Sequence, residues 1–223
     1  MSSRARPSRA CRKCRQPGLK TVLSAIQTLR QDLIRTLPWL VPFTLVMVAI
    51  MDWAGTGLKN PVAPLGIFSF QFAGNLEQAH AILAAWGTQG RLVAAFTLGL
   101  DYLFLLTYTS AIAAVSFAFS QWIEDRRIAA LGTTVKNAVE NAAQQGGVSF
   151  YAVAPWVGAG QLITAVMDMT ENAACLALVY GHEADFLPVL VRACAAVKFS
   201  FLALGLLFVI VSGLRLLMLK RGR

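Results

Sequence analysis

Four long apolar stretches constrain this chain more than any other feature. They cover residues 37–53, 92–120, 150–180 and 187–217. A helix needs about 20 apolar residues to cross a hydrocarbon layer of about 30 Å, so the three longer stretches can each span a membrane, and the first can do so when it is extended back to Leu33. The whole chain is 57% hydrophobic and 14% charged, whereas soluble domains are about 45–50% apolar and about 25% charged. We therefore expect an all-α integral membrane protein built on a four-helix bundle.

The segments between the spans predict the remaining architecture. Residues 1–18 form a basic leader that we expect to be disordered, and residues 220–223 form a basic tail. Residues 19–36 carry apolar side chains at three- and four-residue spacing, which predicts an amphipathic helix on the membrane surface. The four-span domain then covers residues 37–219. Within it, residues 76–86 predict a short extracytoplasmic interfacial helix that covers the outer end of the bundle.

The distribution of Lys and Arg predicts the orientation. The leader, the polar loop over residues 121–148 and the tail are basic and fall on one side of the membrane. By the positive-inside rule both termini are cytoplasmic, in a cell membrane that we expect to be a bacterial inner membrane. The leader would also suit a mitochondrial transit peptide in a eukaryotic source. Its concentrated positive charge favours anionic lipid headgroups as a partner over nucleic acid.

Ionisable side chains inside the spans are costly, at about 2.5–3.5 kcal/mol each on insertion scales. The helical rise places Asp101, Glu171 and Lys198 about 15 Å below the outer surface, with Asp168 about one turn deeper. Helical spacing also places them on faces that can meet at one axis. We therefore predict a buried polar network in which Lys198 meets all three acids. Its members are Asp101, Asp168, Glu171, Asn172 and Lys198, with Thr97, Tyr108, Gln161 and Thr164 as supporting positions on the same faces.

The network admits three functional interpretations. The first is a non-enzymatic membrane protein that is structural or accessory to a membrane complex, because buried charges often fix helix register. The second is a small proton- or cation-coupled transporter or channel, because three acids outnumber one lysine. The third is an intramembrane lipid-modifying enzyme, in which Glu171 or Asp168 acts as acid or base and Lys198 orients it. No residue is assigned a catalytic role on these grounds.

The sequence predicts neither a cofactor nor a metal site. Cys11 and Cys14 form half a zinc ligand set at most. Cys175 and Cys194 are expected to be small packing residues, although the short turn between their helices could bring them together. The expected partners are the lipid bilayer and either a second copy of the chain or a membrane complex.

Three short motifs indicate a family. They are Leu100-Asp101-Tyr102-Leu103-Phe104, Asp168-x-x-Glu171-Asn172 and Lys198-Phe199. The pattern, over roughly residues 75–215, resembles a widespread group of small bacterial four-span membrane proteins with no assigned activity. The resemblance implies a four-span membrane fold and a shared pattern that includes Asp101, Glu171, Asn172 and Lys198.

Overall fold

The structure is a computed structural model that describes residues 18–130 and 153–221, with the side chains of residues 24–122, 153–214, 217 and 218. Within these ranges all regular elements are helical, as predicted. A short 3-10 helix covers Thr56–Leu58. The α-helices are α1 (Gly18–Gly55), α2 (Ile67–Gln71), α3 (Leu76–Ala130), α4 (Ala154–Val179) and α5 (Phe186–Arg221).

Four of these helices have the length and composition of membrane spans. In the described ranges, the apolar segments are Ser24–Leu58, Leu76–Trp122, Ala154–Val179 and Phe186–Leu214. Each exceeds the about 20 residues that a hydrocarbon core requires. The length and composition of these helices confirm the prediction of a multi-span helical membrane protein.

Helix α1 is longer and more continuous than the sequence predicts. Residues 19–36 and 37–53, expected to be a surface helix and a separate span, belong to one helix in the described structure. Pro38 and Pro42, expected in the first turns of a span, lie well inside α1. Proline lacks the N–H that bonds to the carbonyl four residues earlier, so each proline removes one backbone hydrogen bond without ending α1.

Helix α3 contains one break, at Gly87, whose backbone angles (φ 59°, ψ −167°) are not helical. The break separates residues 76–86 from the long part of α3, so these residues form a short helical segment, and its extracytoplasmic, interfacial position stays a prediction. Residues 121–130, expected to start a polar loop, continue α3 instead. The rest of that loop, and Cys11 and Cys14 in the leader, lie outside the described residues.

The other three long helices pack around α3. Helix α3 contacts α1, α4 and α5, and α4 packs along α5. Helix α1 is the most loosely held, because Met47 is its only buried residue among its described side chains. Residues 56–87 and 180–186 join the helices at one end, which we call the connector end. The opposite end, where α1 begins and α5 finishes, is the terminal end; there Arg30 Nη2 of α1 donates to the Phe117 carbonyl of α3 at 3.3 Å.

A buried polar network across three helices

The polar side chains of α4 form one buried seam, as their spacing predicts. Three- and four-residue steps place these residues on one helix face. All five are at most 3% exposed, although all but Cys175 are polar or charged: Gln161, Thr164, Asp168, Glu171 and Cys175. In helices long enough to span a membrane, such a seam must face other helices, because buried polar groups need partners.

Lys198 of α5 lies at the centre of the network. Its Nζ is 2.9 Å from Asp168 Oδ1 and 2.9 Å from Glu171 Oε2. The three side chains are 6%, 2% and 0% exposed, so solvent does not weaken these contacts. The ammonium also lies 4.9 Å from the centre of the Phe199 ring. One lysine therefore joins α5 to two carboxyl groups that are one helical turn apart on α4.

Helix α3 joins the network through two hydrogen bonds. Tyr108 Oη donates to Asp168 Oδ2 at 2.6 Å, and Asn172 Nδ2 donates to Asp101 Oδ2 at 2.8 Å. The ion pairs of Lys198 in the described structure involve only Asp168 and Glu171. The expectation that Lys198 meets all three acids is therefore wrong for Asp101, whose carboxyl group instead accepts a hydrogen bond from the Asn172 amide.

Three acceptor atoms of Glu171 and Asn172 remain without a hydrogen bond in the described structure. Within the described residues, Glu171 Oε1 and Asn172 Oδ1 are fully covered and have no partner. Glu171 Oε2 contacts Lys198 as an ion pair without the alignment of a hydrogen bond. Unpaired buried acceptors are costly, so this part of the network can accept further protons or donors.

The remaining supporting residues bond within their own helices. Thr97 Oγ1 donates to the Val93 carbonyl, and Thr164 Oγ1 donates to the Gly160 carbonyl. Both side chains are buried but do not touch the charged groups by hydrogen bonds. Of the four supporting positions, Tyr108 alone hydrogen-bonds directly to the charged residues in the described structure.

Gln161 lies at a close approach between α4 and α5. A Cβ atom built on Gly205 would lie 2.8 Å from Gln161 Nε2 and 2.9 Å from Ile112 Cγ2. The absence of a side chain at Gly205 thus makes room for side chains of α4 and α3. Gly205 lies at seven-residue spacing from Lys198 and Ser212, on the same face of α5.

Apolar side chains close the network toward both ends of the bundle. Toward the connector end, a large buried cluster includes Leu98, Cys175, Leu178 and Val191. Toward the terminal end, a smaller cluster contains Phe119, Ala154 and Phe208. The charged layer therefore lies in a closed compartment, where an ion pair is weakened little by water.

The chemistry available to this compartment is the pairing and protonation of carboxyl groups. Among the described residues, no group of three His, Cys, Asp or Glu side chains is arranged to hold a metal ion. Cys175 and Cys194 are buried free thiols. The three carboxyl groups and one ammonium carry unequal charge if all are ionised, and a bound proton would reduce that excess.

Sequence reasoning missed the contacts that organise the connector end. Trp86 Nε1 donates to the Leu58 carbonyl at 2.8 Å, which ties residues 76–86 to the 3-10 helix. His80 Nε2 lies 3.8 Å from Glu183 Oε1 in the turn between α4 and α5. These pairs are far apart in sequence, and no spacing rule brings them together. The glycine after Trp86 is the one local signal of a change in chain direction.

Comparison of the chain with protein-family models, with curated proteins and with solved structures gives no match. The family suggested by the three short motifs is therefore not identified by these comparisons.

Proposed function

We propose that this chain is a non-enzymatic, multi-span membrane protein whose buried network holds α3, α4 and α5 in register, and that its role is structural or accessory to a membrane complex. The observation that carries the proposal is the position of Lys198, which contacts Asp168 and Glu171 at 2.9 Å each. Tyr108 extends the same connection to α3.

The energetics favour a role in helix register. An ion pair that is removed from water gains little net stability over apolar packing, but losing one partner is strongly unfavourable. Sliding α5 along α4 by one turn would separate Lys198 from one or both carboxyl groups. The network therefore penalises incorrect alignments more than it stabilises the correct one, which suits a structural role.

The proposed placement in the membrane follows from charge and surface. We propose that both termini are cytoplasmic, in a bacterial inner membrane, with the terminal end of the bundle inside. The basic leader would then contact anionic headgroups. The exposure of Ile26 and Leu29, at 56% and 62%, supports the proposal that the first part of α1 lies against lipid.

A second candidate function is proton coupling, which the excess of carboxyl groups favours. Glu171 Oε1 is buried and lacks a hydrogen bond in the described structure, so it offers a position for a proton. A metal cation is less suited, because the described acids do not form a ligand group. Transport would require the apolar clusters on either side of the network to open in turn.

The enzyme interpretation fits this arrangement less well than the other two. Asp168 and Glu171 are at most 1% exposed. A lipid substrate must bring its reacting atom within hydrogen-bond reach of an acid or base. In the described conformation the neighbouring helices cover both carboxyl groups, so catalysis would need the helices to separate.

Proton flux in reconstituted vesicles separates the first two functions. The purified chain would be placed in vesicles that contain a pH-sensitive dye, and a membrane potential would be imposed with potassium and valinomycin. For a structural protein we expect the proton flux to equal that of protein-free vesicles, both for the natural chain and for Glu171→Gln. Flux of the natural chain above this background would contradict the structural proposal, and its disappearance in Glu171→Gln, which removes the acid that offers the position for a proton, would support proton coupling.

The accessory role needs its own measurement. Membranes from cells that produce the protein naturally would be solubilised in a mild detergent and separated by native electrophoresis. We expect the chain to migrate in a larger assembly than the purified chain in the same detergent. Migration at the same position as the purified chain would contradict a role in a complex.

A further inference from the structure

The break in α3 creates a pocket at the surface of the bundle that is separate from the buried network. The pocket has a volume of about 490 Å³ and lies between the start of the long part of α3 and the end of α4. Gly87 and Thr88 line it at the break, and Leu92, Ala95 and Val179 provide its apolar wall. Its volume is in the range of small-molecule sites, about 300–1,000 Å³.

Arg91 supplies the charge of this pocket. Its Nε donates to the Leu83 carbonyl at 3.2 Å, across the break in the helix. This bond fixes the plane of the guanidinium group and uses only one of its five N–H donors. No contact in the described residues occupies its two terminal nitrogens. Among the described residues, Arg91 is also the only charged one that lines the pocket.

The pocket combines an oriented guanidinium group with an apolar wall. A guanidinium group binds phosphate oxygens through two parallel hydrogen bonds, and its partner should therefore carry such oxygens. The exposed side chain of Leu92 continues the apolar wall along α3 toward the middle of the span. Arg91 lies near the end of a spanning helix, where lipid headgroups are found.

We propose that this pocket binds one phospholipid, with the headgroup phosphate on Arg91 and an acyl chain along the groove between α3 and α4. Charge complementarity supports the headgroup contact, and the apolar wall supports the chain. Tyr180, which carries a hydroxyl donor, also lines the pocket. The site is independent of the function proposed for the buried network.

Lipid binding to the purified full chain tests the proposal. The chain would be delipidated in detergent and titrated with phosphatidylglycerol, and bound lipids would be counted by native mass spectrometry. We expect one saturable lipid in the natural chain and an affinity about tenfold lower in Arg91→Gln, the loss expected when charge-assisted hydrogen bonds are removed. Arg192→Gln is the matched control, because it removes an exposed arginine outside the pocket.

A second variant keeps the test valid if Arg91→Gln does not fold. Ala95→Trp leaves Arg91 in place but fills the apolar wall, and it should also weaken lipid binding about tenfold if the acyl chain lies there. Equal affinity of the natural chain and Ala95→Trp would overturn the proposal. Equal losses in Arg91→Gln and Arg192→Gln would also overturn it, because they would indicate general attraction to positive charge.

The source of the phosphate is decided by a soluble headgroup mimic. Glycerol phosphate carries the phosphate without an acyl chain, so we expect it to compete with phosphatidylglycerol only at concentrations at least a hundredfold higher. Competition at concentrations close to those of the lipid would overturn the lipid assignment and indicate a site for free phosphate compounds.

Discussion

Tyr108 Oη of α3 lies 2.6 Å from Asp168 Oδ2, and the other oxygen of the same carboxyl group receives the ammonium of Lys198 at 2.9 Å. Asp168 therefore connects all three helices of the network through its two oxygens. A carboxyl group with partners on two other helices can keep them only if the three helices hold one alignment. This relationship makes Asp168, rather than Asp101, the central acid of the bundle.

Lys198→Met should strongly destabilise the protein. The substitution removes the ammonium but leaves Asp168 and Glu171 buried together, and breaking a buried pair in this way costs about 3–5 kcal/mol. The thermal midpoint in detergent should fall accordingly. Lys59→Met is the control, because Lys59 pairs with Asp52 at 3.2 Å on the surface and such a pair contributes about 0–1 kcal/mol. Similar shifts for the two variants would contradict the buried network.

Asn172→Leu should destabilise the protein more than Asp101→Asn. In Asn172→Leu the buried Asp101 carboxyl loses its amide donor, at a cost of about 1–3 kcal/mol. In Asp101→Asn the new amide oxygen can still accept from Asn172 Nδ2, so the change should stay within about 1 kcal/mol. Unfolding of the two variants in increasing concentrations of dodecyl sulfate measures both losses of stability. A larger loss in Asp101→Asn would show that the charge of Asp101, and not its hydrogen bond, matters for stability.

Gly205→Ala should destabilise the contact between α5 and its neighbours. The added Cβ would lie within 3 Å of both Gln161 and Ile112, which are themselves buried. Overpacking of this kind costs about 1–3 kcal/mol.

Gly99→Ala provides the matched control for Gly205→Ala. Gly99 lies in α3, and a Cβ atom built on it meets nothing within 4 Å. We expect this variant to be unchanged or to gain about 0.5–1 kcal/mol from helix propensity. Thermal midpoints of the two variants give the comparison, and a loss of equal size in both would exclude close packing at Gly205 as the cause.

Trp86→Phe should loosen the connector end. The substitution keeps an aromatic ring but a smaller one, so the buried site loses packing, and it removes the N–H that bonds to the Leu58 carbonyl at 2.8 Å, which alone costs about 1–2 kcal/mol. Trp39→Phe is the control, because Trp39 is 80% exposed. Hydrogen exchange over residues 56–66 should rise in Trp86→Phe alone. Unchanged exchange in that segment would mean that other contacts hold it.

The spacing of polar residues in the sequence predicts much of the buried network. The seam on α4 and the positions of Asp101 and Lys198 follow from helix geometry and from the cost of charge in a membrane. Both arguments treat one helix at a time, so they predict the helix face on which a residue lies and its depth in the membrane. They do not decide which acid reaches the lysine, because this depends on rotations of the helices about their own axes.

The connector end was less predictable for a physical reason. Arg91 looks like an ordinary residue at the end of a span, and its contact with the Leu83 carbonyl depends on the backbone angles of one glycine. Helix α1 shows the opposite case. The division expected between residues 19–36 and 37–53 is absent there, because each of the two prolines removes only one backbone hydrogen bond and the helix continues through both.

The order of the helices along the chain has a consequence for biogenesis. During synthesis, α3 and α4 carry three acids into the membrane before α5 delivers the lysine that pairs with two of them. Until then, those carboxyl groups must be uncharged, hydrated or held by the insertion machinery, because bare charge is costly in lipid. Helix α5 therefore supplies the positive charge that the buried acids of α3 and α4 lack as well as packing surface, and a chain that stops before Lys198 should be retained or degraded by the cell.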